Sequence, residues 1–205
     1  MADGRRPSRR DRIVDAAVAL AAEVGWANLR LHQVAERLDL PLAAVHALFR
    51  DRDAVANAWF ERALAEMLRA PATELAGRPP PERLLVVMMR WFDALAPQRG
   101  VARAMLGEKL YPSHPQHWAP LIADLSRLIH WFLDAARIAS MGRQRQLAEI
   151  GLTTLFLATL RTWLRDDSPG QERTREQLRR GLQAADRWLP RLNSVRRPRR
   201  ASAPE

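Results

Sequence analysis

Apolar residues recur along this chain at intervals of three and four, and no segment sustains the alternation of a strand. The pattern predicts an all-α fold. Ile13, Ala17, Leu20 and Val24 mark the inward face of a first helix, which Ser8 and Asp11 open as a capping box and Gly25 ends. Leu31, Val34, Ala35 and Leu38 share one face of a short second helix. Asp39-Leu40-Pro41 breaks it, since Pro41 disfavours helical dihedrals at Leu40 and suits the opening of a new helix. Val45, Leu48 and Phe49 then form the inward seam of a third. Two short helices packed across so tight a turn make a helix-turn-helix, whose second helix can lie in the major groove of DNA.

The remaining chain continues the helical period. Asp51 is placed to cap a fourth helix striped by Val55, Trp59, Ala63 and Met67. Residues Pro71 to Pro81 cannot continue that helix and mark the expected boundary between two parts. Beyond it, Leu84, Met88, Trp91 and Leu95 line one face, widened by Leu85 and Phe92. A shorter helix around Gln98 to Leu106 precedes a long one from about Gln116 to Ile138, whose stripe is Trp118, Leu121, Leu125, Leu128 and Phe132. The next helix runs from Arg143 to about Asp166, and its segment Ile150 to Leu160 is apolar nearly all round. Such a helix is buried on two sides, one by its own core and the other by a partner or a ligand. Ser168, Pro169 and Gln171 are the N-cap, N1 and N3 residues of a helix start, and Leu178, Leu182, Ala185 and Leu189 give the last helix its stripe.

Charge adds a partner to this picture. The 205 residues carry a formal charge of +10, with a pI of about 11.5. An excess of arginine favours polyanions, nucleic acid first and an anionic membrane surface second. Arg5, Arg6, Arg9, Arg10 and Arg12 cluster ahead of the first helix, as basic arms beside a helix-turn-helix do. Cysteine is absent, which excludes disulfides and thiolate metal sites. No run is long and apolar enough for a membrane span, and the N-terminus lacks the apolar core of a signal peptide, so a cytoplasmic location is expected.

The order of these elements carries a resemblance. Gly25 and Trp26 after the first helix, Val34-Ala35-Glu36, Phe49 and Arg52 match positions typical of the N-terminal domain of TetR-family transcriptional regulators, which this chain resembles. The family usually has glycine where Asp39 stands, serine at Pro41, tyrosine at His46 and histidine at Leu48. The resemblance implies about nine helices, a homodimer through the last two long ones, and a C-terminal pocket for a small apolar or amphipathic ligand. It divides the chain into an arm and helix-turn-helix at 1–53, a connecting helix and linker at 54–80, a ligand-binding and dimerisation domain at 81–190, and a basic tail at 191–205. Toward double-stranded DNA the expected residues are Arg9, Arg10, Arg12, His32, Gln33, Leu42, Ala43, Ala44, His46, Ala47, Arg50 and Arg52. Alanine can touch a thymine methyl but offers no donor or acceptor to a base edge, so polar base reading falls chiefly to His46. Met88, Trp91, Met105, Trp118, Trp131 and Phe156 are the expected pocket, and Leu157, Leu160, Leu178, Leu182 and Ala185 the expected dimer interface.

A second resemblance lies in Thr162 to Pro169, TWLRDDSP, which is similar to the C-terminal part of the ubiquinone-biosynthesis lipid-binding family. It implies a TetR-like fold that binds lipid and an enzyme partner rather than DNA. His114 and His117, near Glu108, form H-x-x-H, too few convergent ligands for a metal. His130 lies among apolar residues, as a hydrogen-bonded core histidine does. No phosphate loop or nucleophile elbow is present, and no cofactor or catalytic residue is expected.

Overall fold

A computed structural model describes residues 7–109, 118–138 and 143–194. Within them the chain is helical throughout, without a strand. The first helices are α1 (Arg9–Val24), α2 (Leu31–Arg37) and α3 (Leu42–His46), followed by α4 (Arg52–Leu68) and a short α5 (Ala72–Leu75). Then come α6 (Pro80–Leu95), α7 (Arg99–Lys109), α8 (Trp118–Ala135), α9 (Arg143–Trp163) and α10 (Glu172–Ser194).

The local signals act where the residues put them. Ser8 Oγ accepts from Asp11 N at 3.1 Å, and the Asp11 carboxylate accepts from Ser8 N at 3.2 Å, closing the capping box. Gly25 ends α1 at φ 85°, a conformation that side chains resist. Asp51 accepts from Ala54 N at 2.7 Å and opens α4. Asp39 takes the left-handed conformation, φ 52°, in the turn where the family it resembles usually has glycine. Pro41 is the N-cap of α3 rather than its first helical residue.

Several expectations need correction. Val24, the last residue of α1, and Leu48, in the turn after α3, are exposed, while Ile13, Ala17, Val45 and Phe49 are buried. α4 does end at Leu68, before Pro71; within 71–81 a short α5 forms with Leu75 buried, and α6 begins at Pro80, since proline is tolerated in a first turn whose N–H groups have no partner. Ser168 does not open α10 directly. Pro169–Gln171 is a 3₁₀ turn with Gly170 and Gln171 at positive φ, and α10 starts at Glu172.

α6 is the axis of the larger part, packing on α4, α8 and α10. Phe92 meets Trp163 at 5.5 Å and Phe156 at 5.8 Å, and Trp91 meets Phe156 edge-on at 5.5 Å. α9 and α10 pair closely at Gly181, where a Cβ would collide with the Leu155 side chain. Their connection is closed by Asp166, which is buried. It accepts from Ser168 N at 3.0 Å, Thr174 N at 2.8 Å and Thr174 Oγ1 at 2.6 Å. Burial raises its pKa, but the Ser168 and Thr174 hydrogen bonds outweigh that and hold it at about 2.

Asp166→Ala leaves buried donors without a partner and is expected to cost about 2–4 kcal/mol in urea denaturation at neutral pH. The carboxylate's pKa is lower folded than the ordinary 3.8. Its contribution is therefore complete above that value and is lost as pH falls toward about 2. The gap between wild type and variant is expected to narrow over that window.

Candidate nucleic-acid interface

The helix-turn-helix is set by a small apolar core. Ile13, Val14 and Ala17 of α1, Val34 and Ala35 of α2, and Val45 and Phe49 at α3 are all buried, together with Trp26 and Leu29. Burying Val45 and Phe49 turns the opposite side of α3 outward. Leu42, Ala43, His46 and Ala47 are exposed there, with Ala44 half-buried beside them. Leu42 leaves 51% of its surface open, an unusual exposure for leucine on a helix of five residues. His32 is exposed at the start of α2. Gln33 is half-buried, and its Oε1 accepts from Arg30 N at 2.9 Å, so only its amide nitrogen remains for a base.

The arginines separate into two groups. Arg9, Arg12 and Arg50 are exposed, and the Arg50 side chain keeps 83% of its surface while pairing with Asp51 at 3.0 Å. Arg10 turns inward. Its guanidinium lies 4.6 Å over the Phe49 ring and donates to the Leu48 carbonyl at 3.3 Å, which brings the start of α1 against the end of α3. Arg52 turns in further: Nη1 donates to the carbonyls of Trp26 at 2.7 Å and Ala27 at 3.0 Å, and Nη2 donates to Glu108. Arg52 therefore ties the head together instead of reaching outward. Sequence spacing could not reveal this, because Glu108 follows it on a different helix of the other half of the chain.

The expected pocket and interface residues also take definite places. Met88, Trp91, Met105 and Phe156 are buried and packed within one hydrophobic cluster, whereas Trp131 is exposed on α8. The Trp118 side chain lies outside the described residues, as do His114 and His117. Leu178 and Leu182 are buried inside the chain's own core, while Leu157 and Ala185 are exposed and Leu160 is half-buried. Leu147 and Ile150 join Leu157 on the outer face of α9, with Ile150 at 65% exposure. His130 sits at the edge, its Nε2 3.0 Å from Glu149. No helix among the described residues is long and apolar enough to cross a membrane.

Neither a family model nor a curated protein sequence matches the chain. Solved structures do. A TetR transcriptional regulator from Nitrosomonas europaea is 37% identical with a TM-score of 0.77, covering 86% of this chain and 97% of its own. One from Rhodococcus is 20% identical with a TM-score of 0.61, covering 86% and 96%. The multidrug binding protein EbrR, complexed with imidazole, is 24% identical with a TM-score of 0.51, covering 86% and 90%. The last two share the fold.

Arg50 and Arg52 stand two positions apart and are expected to behave differently on truncation. Arg52→Ala strips three hydrogen bonds, two of them part-buried, and orphans Glu108, at a cost of about 1–3 kcal/mol. Arg50→Ala on the open surface is expected to stay within about 0.5 kcal/mol. Guanidinium unfolding of the two variants measures both.

Proposed function

The chain belongs to the TetR family of transcriptional regulators, and from that premise we propose a dimeric repressor whose C-terminal part answers to a small apolar ligand. The observation that carries the DNA reading is the helix-turn-helix itself, with α3 turned outward and Arg9, Arg12 and Arg50 exposed around it. Those arginines neutralise phosphates. Leu42, Ala43, Ala44 and Ala47 give apolar contact to thymine methyls, His46 supplies the polar contact on α3, and DNA shape adds the rest of the selectivity.

The ligand reading rests on Met88, Met105, Trp91 and Phe156. All four are buried in one cluster, with Trp91 and Phe156 in ring contact, so a ligand enters by repacking them rather than by filling a void. Unbranched methionines make that inexpensive. EbrR, which shares the fold, is a multidrug binding protein. Ligand binding that favours another arrangement of the heads would lower affinity for the operator.

Dimerisation is assigned to the outer face of α9. Leu147, Ile150 and Leu157 share that face, are exposed, and suit a second copy of the chain. Leu178 and Leu182 instead hold α10 to its own subunit. One observation favours the lipid-binding reading: Leu42 is exposed where a base-reading helix would carry a polar residue.

Immobilised protein is expected to retain sheared genomic DNA at moderate salt, with affinity falling steeply as salt rises. Arg50→Ala should lower the salt slope by roughly 0.9 for all sequences alike. His46→Ala should shift preference at one base position, by about 1–3 kcal/mol. An apolar compound that quenches tryptophan fluorescence should release the DNA. Retention of vesicle lipid with no DNA, even at low salt, would replace the regulator by the lipid-binding protein.

Ile150→Arg and Leu157→Arg are each expected to convert a dimer into a monomer in sedimentation velocity. A monomeric wild type at micromolar concentration would remove the assignment.

A further inference from the structure

A cleft of about 280 Å³ opens where the first turn of α1, the second half of α4 and the end of α6 meet. It lies apart from the Met88, Trp91, Met105 and Phe156 cluster, none of which lines it. Its floor is apolar, built from Trp59, Ala63 and Leu95, all of them buried. Its rim is charged, with Asp11 on α1, Arg62 and Glu66 on α4, and Arg69 just past the end of α4. Two carboxylates against two guanidiniums leave the lining neutral, in a chain whose formal charge is +10. The volume lies just below the roughly 300–1,000 Å³ of sites that take drug-sized ligands, which suits a smaller metabolite.

The rim groups are only partly used. Arg62 donates through Nη1 to Asp15 at 2.7 Å, and its Nε and Nη2 have no partner among the described residues. Asp11 takes both Ser8 hydrogen bonds on Oδ2, at 3.2 and 2.6 Å, so Oδ1 has no partner among them either. Glu66 and Arg69 pair with each other. Hydrogen bonds from Ser8 first, and the nearby charge of Arg62 after them, hold the Asp11 carboxyl below its ordinary pKa and keep it ionised. An acceptor and a cation thus stand side by side above an apolar floor. An inorganic anion would be repelled by Asp11, and a metal ion by Arg62. A hydrocarbon would use neither. A zwitterion that carries an apolar side chain satisfies all three.

We propose that this cleft binds a free α-amino acid with an apolar side chain. Arg62 takes the carboxylate on Nε and Nη2, the paired donors that a guanidinium edge offers. Asp11 Oδ1 accepts from the α-ammonium group. The side chain lies on Trp59, Ala63 and Leu95, and the Glu66–Arg69 pair closes the mouth without adding net charge. The inference stands independently of the DNA-binding and dimer readings above.

The test is isothermal titration calorimetry, with ligand-observed NMR beside it, on the full-length chain. The probes are L-leucine and L-phenylalanine, compared with leucinamide, 4-methylpentanoate and L-aspartate. At least one of the two apolar amino acids is expected to bind at one site per chain, and L-aspartate is not. Leucinamide lacks the carboxylate and 4-methylpentanoate the amine. Each should bind about ten- to a hundredfold more weakly than L-leucine, as loss of a hydrogen bond to a charged group implies. Arg62→Gln should weaken the amino acid by a similar factor with little change in melting temperature, since a surface ion pair contributes little to stability. Ala65→Leu fills the half-buried wall of the cleft without touching a charge, and should abolish binding even if Arg62→Gln fails to fold. Equal affinity for L-leucine and 4-methylpentanoate would overturn the zwitterion assignment. Amino-acid binding unchanged in the folded variants would place the ligand elsewhere and overturn the site. Absence of binding by both methods at millimolar L-leucine and L-phenylalanine would overturn the proposal outright.

Discussion

Trp91 and Phe92 are neighbours on α6, about 100° apart around the helix, and both are buried. A helix that buries consecutive large aromatics must be covered on more than one side. α4, α8 and α10 supply that cover. Phe60 of α4 stacks toward Trp91 at 6.3 Å, while Phe156 and Trp163 of α9 close on Phe92. The aromatic demand of α6 therefore places the connecting helix and the C-terminal helices in one arrangement. The core continues from Ile13 to Leu182 as a single cluster. Because interiors are close-packed, displacement of α6 is felt at both ends of the molecule.

The polar end of the bundle is ordered by a different constraint. Asp166, Thr174 and Gln171 are buried, and each finds partners. Asp166 receives Ser168 and Thr174, the Trp163 indole donates to Gln171, and Gln171 donates to Asp93 at 2.6 Å. Thr162 donates to Gln177 across the same pair of helices. In the Thr162 to Pro169 segment that resembles the lipid-binding family, Thr162, Trp163, Asp166 and Ser168 thus serve to join α9 to α10. Such groups are costly when unpaired, which accounts for the pairing of the buried Asp166 and Gln171.

Arginine serves two purposes in this protein, and its +10 charge reports only one of them. Arg9, Arg12 and Arg50 leave their guanidinium groups at the surface, where a polyanion can reach them. Arg10, Arg52 and Arg99 are turned onto aromatic rings and backbone carbonyls. A planar, permanently charged fork is suited to that second role, stacking with its face and donating from its edge. The basic field of the head and the rigidity of its attachment come from the same residue type.

The sequence alone determined what is local. The intervals of three and four made the chain helical, Ser8 with Asp11, Gly25 and Asp51 set helix ends, and the spacing around Pro41 made a helix-turn-helix. With Gly25, Trp26, Val34-Ala35-Glu36 and Phe49 it also identified the family. These features act within one or two turns of helix, so neighbouring residues encode them. The tertiary structure decided which side of each stripe meets another element. Val24 and Leu48 fit an apolar period and face solvent, whereas Leu178 and Leu182, expected at a subunit contact, fill the chain's own core. It decided, too, that Arg52 belongs to Glu108 rather than to the surface. A helical period states that a face is apolar but not what covers it. Residues 56 positions apart are brought together only by the packing of the helices that carry them.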